Sequence, residues 1–476
     1  MKHIKFLYTA AVAAFLLASC DPADFGDMNV DPNNPSKPIA SSLLTRSERT
    51  IADLITAEQG SLYSQQIANK QYTSADRYET IQWSFNGIYA GPLVNLQKII
   101  ELNTDPTTKG DVAAYGSNNN QIAVARILKA YYFWHMTDRW GDLPYTQALK
   151  GNDNFRPAYD TQEFIYKDLF KELKEAGAQI DGGAPVSGDH LLKGNMTKWK
   201  KFANSMRLLM ALRMSNIDPA LARTEFNAAL ADGVITSNAD NVVYQFLAEE
   251  DNDNPWEDRF QTRLDWTVSD KMVNTLKQLK DPRVATFADK ALLKQDFVGM
   301  PYGLLEAAAG GISNGDVSFL GINMRRQTSP GFVMTAAQVN LAIAEAITRG
   351  WTTGSAEQFY NAGVTAGLDQ YGYGSQATEY LQNAGVKFET ANALSQIATQ
   401  RWITLFSYGY EAWAEWRRTG LPTLSPPPLN FNPGGAIPRR QAYVVTERDL
   451  NGENYTAAVA RMGGKDDLNG RVWWDK

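Results

Sequence analysis

Four stretches of the chain place apolar residues three or four apart with charges on the opposite face, and that period commits them to α-helix. They are QIAVARILKAYYFWHMTDRW (121–140), TKWKKFANSMRLLMALRMSN (197–216), TAAQVNLAIAEAITRG (335–350) and LSQIATQRWITLFSYGYEAWAEWRR (394–418). In the third, Val339, Ala342, Ile343 and Ala346 form one stripe, and its two alanines permit close helix approach. A fifth, AEQFYNAGVTAGLDQYG, spaces Phe359, Gly363 and Gly367 at intervals of four. The expected fold is all-α.

Helix pairs with small residues at their crossings resemble tetratricopeptide units, although no strict 34-residue self-similarity runs through the chain. Between the helices lie long irregular stretches: Asn69 to Gly91, Ala248 to Trp266, Gly299 to Gly331 and Gly420 to Pro438. Loops of that length in a folded protein are functional or disordered, and their aromatic content argues for order. No break in composition marks a second domain, so residues 41–476 read as one helical domain with large irregular insertions.

The amino terminus reads as an export signal. MKHIK is basic, and the apolar FLYTAAVAAFLLA that follows is too short for a comfortable membrane span. Small residues precede Cys20, the only cysteine of 476 residues. This order resembles a lipoprotein processing site, which implies a signal peptide over 1–19, acylation of Cys20, and a lipidated linker over 20–40. Several acyl chains at one residue suffice to hold a soluble domain on a membrane. Asp21, Asp24 and Asp27 resemble the surface-export tract of lipoproteins in Bacteroidetes-type Gram-negative bacteria, with a solvated spacer as the plainer alternative.

Several function classes drop out on composition. With 46 basic and 52 acidic residues the net charge is −6, or −8 once Lys2 and Lys5 leave with the signal. Nucleic acid is therefore not an expected partner. With Cys20 acylated, no thiol remains for disulfides, thiolate metal sites or nucleophilic catalysis. Only His135 and His190 persist in the mature chain, neither in an HExxH or GxSxG setting. His135 shares a helical face with Val124, Ile127, Leu128 and Tyr131 and reads as a packing residue.

Aromatic residues on irregular stretches are the informative signal. Sugars have apolar C–H faces and hydroxyl rims, so a sugar site needs flat rings bordered by Asn, Asp and Arg. QYTSADRYETIQWSFNGIYAGPL offers Tyr72, Arg77, Tyr78, Trp83, Asn86 and Tyr89. EEDNDNPWEDRFQTRLDWTVSD flanks Asn254, Arg259, Arg263 and Asp265 with Trp256 and Trp266. The expected ligand residues are Tyr78, Trp83, Asn254, Trp256, Arg263, Asp265 and Trp266. No cofactor is expected; calcium on Asp251, Asp253 and Asp258 is the alternative, without EF-hand spacing or its central glycine. The same acids admit a glycosidase pair. A third stretch, LEAAAGGISNGDVSFLGINMRRQTSPGFVMT, reads as a backbone-exposing loop.

Taken together, several segments resemble the SusD/RagB nutrient-binding outer-membrane lipoproteins: NVDPNNP, DRWGDLPYTQAL (138–149), FANSMRLLMALRMS (202–215), LKDPRV (279–284), VMTAAQVNLAIAEAITRGW (333–351), GYEAWAEWRRTGLPTL (409–424), IPRR (437–440) and NYTAAVARMGG. They follow the family's order along nearly the whole mature chain; RRQAYVVTERD departs from its usual RLPYPQSE. The resemblance implies tetratricopeptide-like helix pairs packed against an irregular ligand-binding half, and no catalysis. It also implies capture of oligosaccharide, or in some members peptide, for a SusC-like TonB-dependent transporter at the outer membrane. On the same basis Trp140, Trp413 and Trp416 belong to the scaffold. Ligand residues vary between members and do not carry over.

Overall fold

The apolar stripes are helices in the computed structural model, which describes residues 37–476; the leader, Cys20 and the acidic tract lie outside the described residues. The helices that position the site are α1 (Ala40–Ile55), α2 (Glu58–Tyr63), α3 (Val94–Thr104), α4 (Asn118–Trp140), α5 (Gln162–Gln179), α6 (Met196–Arg213) and α7 (Pro219–Ala231). After them come α8 (Pro255–Gln261), α9 (Asp270–Leu279), α10 (Ala336–Thr348), α11 (Ala356–Asp369), α12 (Ala393–Thr404) and α13 (Gly409–Thr419). Among the described residues no helix is long and apolar enough to cross a membrane. Residues Ala40–Lys476 form one compact unit.

Successive helices pack side by side. α1 lies on α3, α3 on α4, α4 on α5, α5 on α6, α6 on α7 and α10, α10 on α11 and α12, and α12 on α13. Capping defines several starts, because the first N–H groups of a helix have no partner inside it. Ser117 accepts from the Asn120 amide and Asn195 from that of Lys198. Thr335 and Gln338 form a reciprocal capping box on α10. At Gly363 an added Cβ would lie 2.7 Å from Leu341 Cγ, so this glycine lets α11 close on α10.

The stretch 394–418 departs from the sequence expectation of one continuous helix. It breaks into α12 and α13 at Ser407, whose φ of 75° ends the helical run. Beyond the break Gly409 meets Ser61 at the end of α2. Ala248 to Trp266 is likewise not wholly irregular, since it contains α8.

A lattice of buried charge joins the helices. Arg418 forks onto Glu345 of α10 (2.7 Å to each oxygen) and also holds Glu415 at 2.7 Å. Arg401 of α12 reaches Glu415 at 3.1 Å. Arg213 of α6 contacts Glu415 at 3.2 Å, Glu411 at 2.5 Å and Asp138 of α4 at 3.0 Å. All seven are buried. Burial alone would raise Glu345; Arg418, Arg349 and Arg401 outweigh it and hold the carboxyl down at about 2. GYEAWAEWRRTG is therefore a structural signature: Glu411, Glu415 and Arg418 serve the lattice, and Trp413 donates to the Pro438 carbonyl at 2.7 Å. Trp140, Trp413 and Trp416 are buried, as is His135, whose ring meets Tyr410 edge-on at 5.3 Å.

Candidate functional site

Sheet is confined to short two-stranded pieces among the described residues, and one of them assembles the site. β1 (Ile67–Asn69) pairs antiparallel with the strand Trp266–Val268, Asn69 opposite Trp266. The Lys70 amide continues the ladder to the Asp265 carbonyl at 2.7 Å. This pairing sets the turn after Asn69 beside the chain that enters Trp266. The turn is knotted by Arg77 N–H to Thr73 and Glu79 N–H to Ser74. Asp76 anchors it from below, accepting from the Asn69 amide at 2.9 Å and the Asn69 side chain at 2.7 Å.

Two arginine–aromatic pairs stand exposed on this knot. Arg263 donates to the Tyr72 hydroxyl at 3.1 Å, with its guanidinium 5.2 Å from the ring centre. Tyr72 is 51% exposed and the Arg263 side chain 58%. Arg77 lies 4.6 Å from the Phe431 ring and donates to the Leu429 carbonyl at 2.5 Å. The Phe431 amide returns a bond to the Arg77 carbonyl at 2.8 Å, and its ring is 48% exposed. Cation–ring contact of this kind holds a ring in place while leaving area for a ligand.

The other irregular stretches close around the same turn. Lys70 donates through Nζ to the Ala309 carbonyl at 2.8 Å, and Tyr302 to that of Leu62 at 2.7 Å. Gly303 passes so close to Pro427 that a Cβ there would lie 2.5 Å from the proline ring. A groove of about 410 Å³ opens beside this contact, lined by Gln65, Asn274, Gln278, Tyr302, Ser425 and Pro427 among others. Amides and hydroxyls on its walls suit a sugar's hydroxyl rim, and the Pro427 and Tyr302 rings suit its C–H face.

Four of the seven expected ligand side chains are instead buried framework. Tyr78 is in the core with Tyr63 and Trp413. Trp256, 2% exposed, packs edge-on against Trp266 at 5.7 Å, so it has no free face for stacking. Asn254 caps α8, accepting from the Trp256 amide at 2.9 Å and donating to the Ser329 carbonyl at 2.9 Å. Asp265 is buried and positions Arg263 through Nε at 3.2 Å. Trp83 and Trp266 are half-buried; the Trp83 carbonyl accepts from Trp140 at 3.2 Å. Of the seven, Arg263 alone is exposed. Tyr72 and Arg77 belong to the aromatic-rich segment 71–93, whereas Phe431 lies outside both candidate clusters; its only sequence signal is a ring among Asn, Pro and Gly with no helical stripe.

Burial raises Asp76 to about 7 against the pull of its Asn69 donors. The unfolded group titrates near 3.8. The folded chain therefore keeps a proton the unfolded chain has lost, and this stabilising contribution declines as pH rises from about 4 to about 7. In urea unfolding, wild type is expected to lose stability relative to Asp76→Asn across that interval. A flat difference would show that Asp76 is ionised throughout.

Comparison with known proteins decides the lineage. A SusD-like family, described as "Starch-binding associating with outer membrane", matches residues 32–444. The chain belongs to the SusD-like family. Among solved structures, a chitin-binding protein superimposes with a TM-score of 0.81 at 29% identity, covering 92% of this chain and 99% of that one. A Bacteroidetes SusD-like protein gives 0.79 at 26%, covering 92% and 99%. A chitin-binding SusD homologue from Flavobacterium johnsoniae gives 0.75 at 26%, covering 92% and 97%. No curated protein matches.

SusD-like membership brings carbohydrate binding and association with the outer membrane. It makes this chain a binding protein rather than an enzyme, which removes the glycosidase alternative. It also agrees with the architecture of paired helices beside an irregular half.

Proposed function

We propose that this SusD-like chain is a cell-surface lipoprotein, anchored through Cys20, that captures oligosaccharide at the Tyr72–Arg263 and Phe431–Arg77 pairs. It then delivers the sugar to a SusC-like TonB-dependent transporter. The observation that carries the reading is the pair of exposed rings, each fixed by an arginine, on the irregular half of a SusD-like fold. Two relatives named for chitin make β-linked N-acetylglucosamine oligomers the first ligands to try.

Taking a ring beneath a sugar to contribute as one aromatic ring against another does, each adds about 0.5–1.5 kcal/mol beyond area burial. Titration calorimetry with chitin oligosaccharides is expected to show at least a tenfold loss of affinity, about 1.4 kcal/mol, in Tyr72→Ala combined with Phe431→Ala, at an unchanged melting midpoint. Equal affinity in the double variant would remove these rings from the site. Binding of peptides but of no glycan would assign the same rings to a peptide-capturing member.

A further inference from the structure

Three carboxylates outside this site converge at the start of α8. One oxygen each of Asp253, Glu257 and Asp258 lies within 4.8 Å of the others. This is not the set expected from sequence, because Asp251 is not among the three; its carbonyl instead accepts from Arg49 at 2.8 Å. Among the described residues none of the three pairs with a lysine or arginine. Gln261 donates its amide to Glu257 at 2.9 Å and to Asp258 at 3.2 Å, and the Gln327 side chain hydrogen-bonds Asp253.

The second observation is Asp253 itself. It is 6% exposed, and its Oδ2 is buried without a hydrogen-bond partner among the described residues. A buried, unpaired carboxylate oxygen is costly unless a cation or a proton meets it.

From this geometry we infer that Asp253, Glu257 and Asp258 form a calcium site that ties the loop before α8 to its first turns. Oxygens bound about 2.3–2.6 Å from one Ca²⁺ lie no more than about 5.2 Å apart, and the observed cluster falls inside that limit. The donors are all hard oxygen, without the imidazole or thiolate that zinc favours. With three protein carboxylates, one of them buried, and solvent completing the shell, the flexible coordination of Ca²⁺ fits better than the strict octahedron of Mg²⁺. The site is independent of the glycan reading.

Terbium stands in for calcium in the test, because Trp256 lies three residues from Asp253 and can sensitise its emission. Titrating the full chain with Tb³⁺ is expected to give saturable tryptophan-sensitised emission, displaced by CaCl₂ at far lower concentration than by MgCl₂. Added CaCl₂ is also expected to raise the melting midpoint. Asp253→Asn and Asp258→Asn should each weaken calcium displacement at least tenfold; Asp258 is exposed, so its variant tests the site without disturbing the core. Emission that calcium does not displace, or that both variants leave unchanged, would overturn the inference whatever happens to sugar binding.

Discussion

Glu415→Ala is expected to lower the unfolding free energy by about 3–5 kcal/mol, the cost of leaving buried charge without its partner. Three guanidiniums converge on this one carboxylate: Arg213, Arg401 and Arg418. Each is buried and comes from a different helix, so none can reach water without separating α6, α12 and α13. Glu415 is held well below its ordinary range despite burial, which means the three arginines outweigh the desolvation. Glu411, buried next to it, is pushed up.

The same lattice sets the response to acid. Glu345 titrates at about 2 in the folded chain and near 4.5 when unfolded. A depressed carboxylate stabilises the fold above the unfolded value, and that contribution is lost as pH falls from about 4.5 to about 2. Urea titrations over this range should show a steep acid limb in wild type and a shallower one in Glu345→Gln. A Glu415→Ala loss below about 1 kcal/mol would mean that solvent reaches these arginines after all.

Gly409→Ala is expected to cost about 3 kcal/mol or more, at the upper end for overpacking. Its reason is backbone contact rather than backbone conformation. A Cβ at Gly409 would lie 1.9 Å from the Ser61 amide nitrogen, and one at Gly60 2.2 Å from that of Tyr410. The obstructing atoms are main chain and cannot rotate aside, so α2 and α13 must separate. Because α2 runs into β1 and the knot carrying Tyr72, glycan affinity should fall together with the unfolding midpoint. Gly87→Ala, with open space around its Cβ position, is the control and should leave both unchanged. Normal stability in Gly409→Ala would show that the two helices do not touch as described.

The helical half was legible because a helix writes its burial into the sequence every three or four residues. Val339, Ala342, Ile343 and Ala346 are all buried on α10, and the glycines read as crossing points on α11 face α10 and its neighbours. The irregular half has no such period. There composition is the only guide, and it does not distinguish Trp256 and Tyr78, which lie in aromatic-rich loops yet are core, from rings that face solvent. Asn254 had the right chemistry for a hydroxyl but uses its amide to cap α8 and bind the Ser329 carbonyl.

By itself the sequence determined the all-helical class, the lineage and the irregular stretches that carry the candidate site. These follow from local periodicity and from short motifs, which neighbouring residues encode. Tertiary structure alone decided which rings face solvent. Tyr72 and Arg263 are 191 residues apart and meet only because Asn69 pairs with Trp266, while Phe431 reaches Arg77 across a still longer stretch of chain. Burial depends on what the distant chain brings to cover a side chain, and no local spacing records that.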